Sequence, residues 1–219
     1  MAFFDEIAKS VDQMIRFTSV STGDQVEFPA FVTNFSDDYS VSWGEEAIFG
    51  RIDPIKNYQS TSRRINASFD ILGKDKTAAI KNFENYSRLI RMLYPVYSDP
   101  IGTENRARTI KAGPLLRIKY SNYIRSSTSD NGLLGCITGV TFKPEFDTGH
   151  FLTGNNEMIP IRYAMTFVFV PLHEKELGFD QKGEFLDQTF PYNRQITARA
   201  SDQTLPATDS AVLGGADND

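Results

Sequence analysis

A chain of 219 residues, 40% hydrophobic and 23% charged, can bury one substantial core or two small ones, which excludes a wholly disordered protein. Its formal net charge of -5 argues against a general nucleic-acid binder, and a single cysteine, Cys136, excludes an intramolecular disulfide. The opening MAFFDEIAKS carries acids where a leader would be basic, and no apolar run approaches ~18 residues. The expectation is a chain made in the cytoplasm with neither a secretion leader nor a membrane span.

Taken in chain order, residues 3–17 predict an amphipathic helix. Phe4, Ile7, Val11, Met14 and Ile15 keep helical spacing, while Asp5, Glu6, Lys9 and Asp12 face elsewhere. Thr22-Gly23-Asp24 closes this N-terminal helical arm, so residues 1–24 form the first unit. A β-rich domain is expected over residues 25–180. Its first strands are predicted over 27–33 and over 39–43, where Tyr39, Val41 and Trp43 share a face. The clearest covers 63–72, with Ile65, Ala67, Phe69 and Ile71 alternating against Asn66, Ser68 and Asp70.

Ahead of that strand, IFGRIDPIKNYQSTSRR spans residues 48–64. It places Arg51, Tyr58, Arg63, Arg64 and several hydroxyls in sequence with no catalytic group beside them. Gly73 then breaks the strand pattern, and Asp75 is the expected N-cap of a helix over 75–94. Ile80, Phe83, Ser87, Ile90 and Leu93 mark its predicted buried face, and Tyr94-Pro95 stops it. Residues 98–113 read as a long polar loop carrying Arg106, Arg108 and Lys111, either solvated or ion-paired to another subunit.

Three further strands are predicted, over 115–123, 133–142 and 159–170. The linkers SSTSDNG and DTGHFLTGNNE read as turns or loops, which makes the pairing antiparallel. The fold class is therefore α+β, mainly antiparallel β, with one helix packed on one face of the sheet. Residues 181–219 are expected to form an extended C-terminal arm. From Gln195 onward its composition cannot offset an ordering entropy of roughly 1–2 kcal/mol per residue. Ile196, Leu205, Val212 and Leu213 should therefore dock outside the tail, as a strap across another subunit, with Arg194 and Arg199 pairing at its root.

Chemistry is thin in this sequence. His173 opens HEKE, which lacks the second histidine of a zinc-protease helix, and His150 sits beside Gly149 in a polar segment. Cys136 lies in an apolar run. Asp37-Asp38 and Glu45-Glu46 read as solvated acids at turns beside strands. No GxxxxGK[ST], GxGxxG or GxSxG pattern occurs, so no catalytic residue, metal ligand or cofactor is expected. Most of the 17 phenylalanines and 9 tyrosines keep core spacing, and do not line up as a base-stacking platform.

Gly50, Arg51, Asp53, Pro54, Tyr58, Thr61, Arg63, Ser68, Phe69 and Asp70 together resemble a pattern in tail and baseplate proteins of contractile-tailed bacteriophages. YPVY, KAGPLLRIKYSNYI, LGCITGVTFKPEFDTGHF and PIRYAMTFVFVPLHEKELGF extend the resemblance over roughly residues 40–180, without a peptidoglycan-binding LysM segment. The resemblance implies a tail-tube-like sandwich or open barrel with a flanking helix, and a non-enzymatic virion protein. Its place would be the baseplate hub or the ring joining hub to tube, with other tail proteins as partners, no membrane and no specific nucleic acid. A baseplate wedge component is the rival within that class. A small-ligand or carbohydrate-binding β-domain using Trp43, Tyr58 and Phe151 is the rival from another. On the assembly reading, the subunit contacts would come from Phe4, Ile7, Val11, Arg51, Tyr58, Arg63, Arg64, Arg106, Arg108, Arg199, Leu205 and Leu213.

Overall fold

The computed structural model describes residues 14–29, 31–99, 108–127, 130–153 and 157–192. Strands β1 (Met14–Ser19), β2 (Gln25–Pro29), β3 (Phe31–Glu46) and β4 (Ile55–Leu72) precede helix α1 (Lys76–Met92). After it come β5 (Val96–Tyr97), β6 (Ile110–Ala112), β7 (Leu116–Lys119), β8 (Leu133–Leu152) and β9 (Met158–Pro171). Seven strands form one antiparallel sheet in the order β2-β1-β7-β8-β9-β4-β3, and β5 pairs with β6 alone.

This sheet is rolled. Phe17 on β1 and Phe167 on β9 are three strand steps apart, ~14 Å across a flat sheet, yet their ring centroids lie 5.5 Å apart. Phe28 on β2 and Phe69 on β4, five steps or ~24 Å apart when flat, approach to 6.4 Å. The inward residues thus meet across the interior: Ile15, Phe17, Val26, Phe28, Ile65, Phe69, Ile71, Leu116, Ile118, Tyr163, Met165, Phe167 and Phe169 form one buried cluster. Each large apolar side chain so placed contributes about 1.5–3 kcal/mol relative to exposure.

Helix α1 closes the open side against β2 and β9. Asp75 caps it, accepting from the Ala78 amide at 2.7 Å. Gly73 allows the first turn to settle on the strand end, because a Cβ there would lie 2.7 Å from Ala79. Asn85 donates to the Glu27 carbonyl at 3.1 Å, and Tyr86 stacks on Phe142 at 4.2 Å.

Several expectations need correction. Residues 1–13 lie outside the described residues, but Met14 to Phe17, placed in the predicted helix, belong to β1. Ile15 and Phe17 alternate with Arg16 and Thr18, and pairing with both β2 and β7 settles the period at two. The strand expected over 27–33 is divided between β2, which ends at Pro29, and β3. The helix buries Ala79, Asn82, Leu89 and Met92, a face turned one residue from the predicted stripe. Asn82 anchors that rotation by donating to the Leu72 carbonyl at 3.5 Å. The segment beginning at Asp147 is strand as far as Leu152, since β8 continues past a bulge between Glu145 and His150. The strand expected to reach Tyr123 ends at Lys119 in a tight turn through Ser121, bridged from Tyr120 to Ile124.

Candidate functional site

β4 pairs with β9 only from Ile65 to Leu72, whereas its pairing with β3 runs from Ile55 to Asp70. Residues Ile55–Arg64 and their partners on β3 therefore leave the barrel as a two-stranded arm ~30 Å long. Residues 38–62 are exposed except for Gly44, Pro54 and Ile55, which are half-buried. Both faces of the arm consequently meet solvent. At the tip, the Arg51 amide donates to the Ile48 carbonyl at 3.2 Å, and Gly50 takes a φ of 86° that a side chain would strain. That turn leaves Phe49 and Ile52 at 106% and 101% relative exposure.

Cross-strand partners share a face, so Tyr39, Val41, Thr61, Trp43 and Tyr58 line the side that continues the barrel's inward surface. Trp43 and Tyr58 meet edge to face at 5.7 Å, and the Tyr58 and Thr61 hydroxyls lie 2.8 Å apart. Lys56 pairs with Glu45, and Ser42 donates to Gln59 at 2.9 Å. Exposed ion pairs of this kind contribute about 0–1 kcal/mol, too little to make the ribbon a rigid independent body.

The arm's root is built differently. Arg63 donates to Asp37 through Nε at 2.8 Å and Nη2 at 2.7 Å, and the two side chains keep only 2% and 4% of their exposure. The guanidinium lies 5.5 Å from the Tyr39 ring centroid and 5.4 Å from that of Phe190. Phe190 arrives from residues 172–192, which return over the root after β9. The Tyr39 hydroxyl donates to Asp37 at 3.1 Å, and burial together with that carboxylate pushes the phenol well above its ordinary pKa. Tyr192 also reaches Asp37 and packs on Tyr123 at 5.9 Å.

Asp187 accepts from Ser127 and from the Thr189 amide and hydroxyl, at 3.2 and 2.8 Å in the latter two cases. Burial pushes its carboxyl up, but these donors outweigh burial and hold it below the usual carboxylate range. His173 packs edge-on to Phe190 at 5.5 Å; lost hydration, then the Arg63 charge, lower its pKa. Although Ser127, His173 and Asp187 share this cleft, the serine donates to the aspartate itself. They are not ordered as nucleophile, base and orienting acid. Arg63, with its fork spent on Asp37, is a structural cation here and not an anion receptor.

Of the residues expected at subunit contacts, Arg51, Tyr58 and Arg64 are exposed on the arm, and Arg108 is exposed before β6. Arg63 instead turns inward to Asp37. Asp37, expected as a solvated acid at a turn, is a buried strand residue for the same reason. Glu45 and Glu46 likewise sit in β3, not at a turn. Phe4, Ile7, Val11, Arg106, Arg199, Leu205 and Leu213 lie outside the described residues. Trp43, Tyr58 and Phe151 do not form one site. Phe151 pairs with Ile159 beyond the Leu72 end of the sheet, whereas Tyr58 is ~45 Å along β4 from Leu72. Among the described residues no group of three or more His, Cys, Asp or Glu side chains could hold a metal ion, and no helix is long and apolar enough to cross a membrane.

Sequence reasoning missed Asp187 and Phe190 altogether. Phe190 is fixed by ring packing on Tyr39, His173 and Phe185, a tertiary arrangement with no local signal.

No protein-family model matches this chain, and no curated protein matches it. The chain is similar to one in a cryo-EM structure of the anti-feeding prophage baseplate, 6-fold symmetrised, with 8% identity and a TM-score of 0.29. The match covers 73% of this chain and 87% of that one, and a likeness so slight carries no argument about fold or function.

Proposed function

We propose that this chain is a non-enzymatic structural protein of a contractile phage-type tail. In this reading it belongs to the baseplate hub or the ring joining hub to tube, and assembles through contacts between subunits. The observation that carries the reading is the β3–β4 arm. A two-stranded ribbon is marginally stable alone in water, and this one presents Tyr39, Val41, Trp43 and Tyr58 on one face with Phe49 and Ile52 at its tip. Exposed apolar surface of this kind marks an interaction site. The resemblance in the arm's own sequence, from Gly50 to Asp70, supplies the class of assembly.

The contacts assigned in this reading are Arg51, Tyr58 and Arg64 on the arm, and Arg108 ahead of β6. Phe4, Ile7, Val11, Arg106, Arg199, Leu205 and Leu213 complete the set from outside the described residues. Neighbours are further copies of the chain and other tail proteins, and the mature location is the virion.

A double variant, Phe49→Ser with Ile52→Ser, tests the reading because both residues touch nothing in the barrel. Light scattering over a concentration series should find oligomers for the native chain and a monomer for the variant, with equal thermal midpoints. A native chain that stays monomeric and ignores other tail proteins would overturn the proposal.

A further inference from the structure

The C-terminal turn of α1 and the turn between β1 and β2 enclose an open cleft of about 380 Å³. The register places it at the end of the barrel away from the arm. Toward the arm, residue numbers fall along β4, rise along β9, fall along β8, rise along β7 and fall along β1. The turn after Ser19 therefore closes the opposite end, and the arm points away from its own chain's cleft. Buried Met92 and exposed Tyr94 give the cleft an apolar part, while Arg88, Arg91 and Asp24 give it charge. Arg88 lies 3.7 Å from Asp24, beyond hydrogen-bond reach, and Arg91 has no ion-pair partner among the described residues. The tip of the arm carries the inverse set. Phe49 and Ile52 are apolar and fully exposed, and around them stand the exposed acids Glu46 and Asp53 and the exposed base Arg51. None of these three is ion-paired among the described residues, since Lys56 takes Glu45. Two acids and one base around an apolar centre thus match two bases and one acid around an apolar lining.

We propose that the arm tip of one copy of this chain seats in the cleft beside α1 of a second copy. Phe49 lies against Met92 and Tyr94, Glu46 and Asp53 turn toward Arg88 and Arg91, and Arg51 turns toward Asp24. An apolar centre ringed by complementary charge is the ordinary build of a specific interface. The seat rests on the assembly reading above and gives the arm its receiving surface. Tip and cleft are different surfaces at opposite ends of one chain, so the contact is head to tail. Each copy offers one of each, and association runs past the dimer until a ring closes or a filament continues. The exposed charges on both sides make this association weaken as salt is raised.

The test uses two full-length variants. Phe49→Ser with Ile52→Ser removes the tip and leaves the cleft, whereas Arg88→Glu with Arg91→Glu reverses the cleft and leaves the tip. All four residues are exposed, so both variants should keep the native thermal midpoint. In light scattering the native chain should form oligomers. Each variant alone should stay monomeric where the native chain associates, its dissociation constant raised about tenfold or more. An equimolar mixture of the two should give a one-to-one dimer and nothing larger, because each such pair holds one intact tip and one intact cleft. A cleft variant that oligomerises as the native chain does, or a mixture that stays monomeric, overturns the seat. Either result leaves the assembly reading standing if the native chain oligomerises and the tip variant does not. A native chain that is monomeric throughout defeats both.

Discussion

β3 and β4 pass through two environments with one backbone geometry. From Ile65 to Ile71, β4 alternates strictly between buried apolar and half-exposed polar residues, held between β3 and β9. From Ile55 to Ser62 the same strand has no buried residue, and its only partner is β3. The boundary falls at Arg63, where the inward position is filled by a paired charge in place of a hydrocarbon. Alternation in a strand thus reports a neighbouring layer, and its loss marks where that layer stops while the ladder continues.

The difference between the two halves can be measured by substitution. Phe167→Ala in the barrel should cost about 3–5 kcal/mol in urea unfolding, because the ring touches both Phe17 and Phe69 in a closed interior. At the boundary, Asp37→Ala should cost about 3–5 kcal/mol by leaving Arg63 buried and unpaired. Combining Asp37→Asn with Arg63→Met should recover part of that loss. If Asp37→Ala is silent, the root is wetter than its geometry indicates, and the sharp boundary between the two halves disappears.

Acid should act on the root before the barrel. Asp187 titrates below the ordinary carboxylate range in the folded chain and within it when unfolded. The unfolded state therefore binds the proton first as pH falls, and the stability that Asp187 contributes above about pH 4 is lost as pH drops through its folded value. Glu174, lowered by its hydrogen bond from Arg117, adds in the same direction. Asp187→Asn should flatten this acid limb in a series of unfolding curves, and an unchanged limb would remove Asp187 from the account. The smallest effect belongs to the arm. Trp43→Ala or Tyr58→Ala should change the stability of a dilute chain by less than about 1 kcal/mol, and a larger loss would mean that the arm is integral to the barrel.

The same contrast explains what was legible in the sequence. Ile65 to Ile71, Leu116 with Ile118, and Ile159 to Phe169 are bounded by a layer and carry its period, so they could be read directly. Asp75 was legible as a cap because its role is local. Within Asn34 to Glu46 of β3 only Tyr39, Val41 and Trp43 carried a readable alternation, and β8 beyond Phe142 could not be followed because it has no consistently buried face. MIRF fits a helical stripe as well as a strand, and only pairing with β2 and β7 decides between them. The Asp37–Arg63 pair joins residues 26 apart in sequence on facing strands, so Asp37 read as a surface acid.

The central claim is that the arm reaches into a neighbouring chain, and a photo-crosslinking residue placed at Phe49 tests it most directly. Phe49 is fully exposed at the turn, so the substitution leaves the barrel untouched. Irradiation of the chain under assembling conditions should give covalent species of at least twice the monomer mass, with the link mapped to another copy or to a partner protein. Links found only within the same chain, or no links at all in assembled material, would contradict the account.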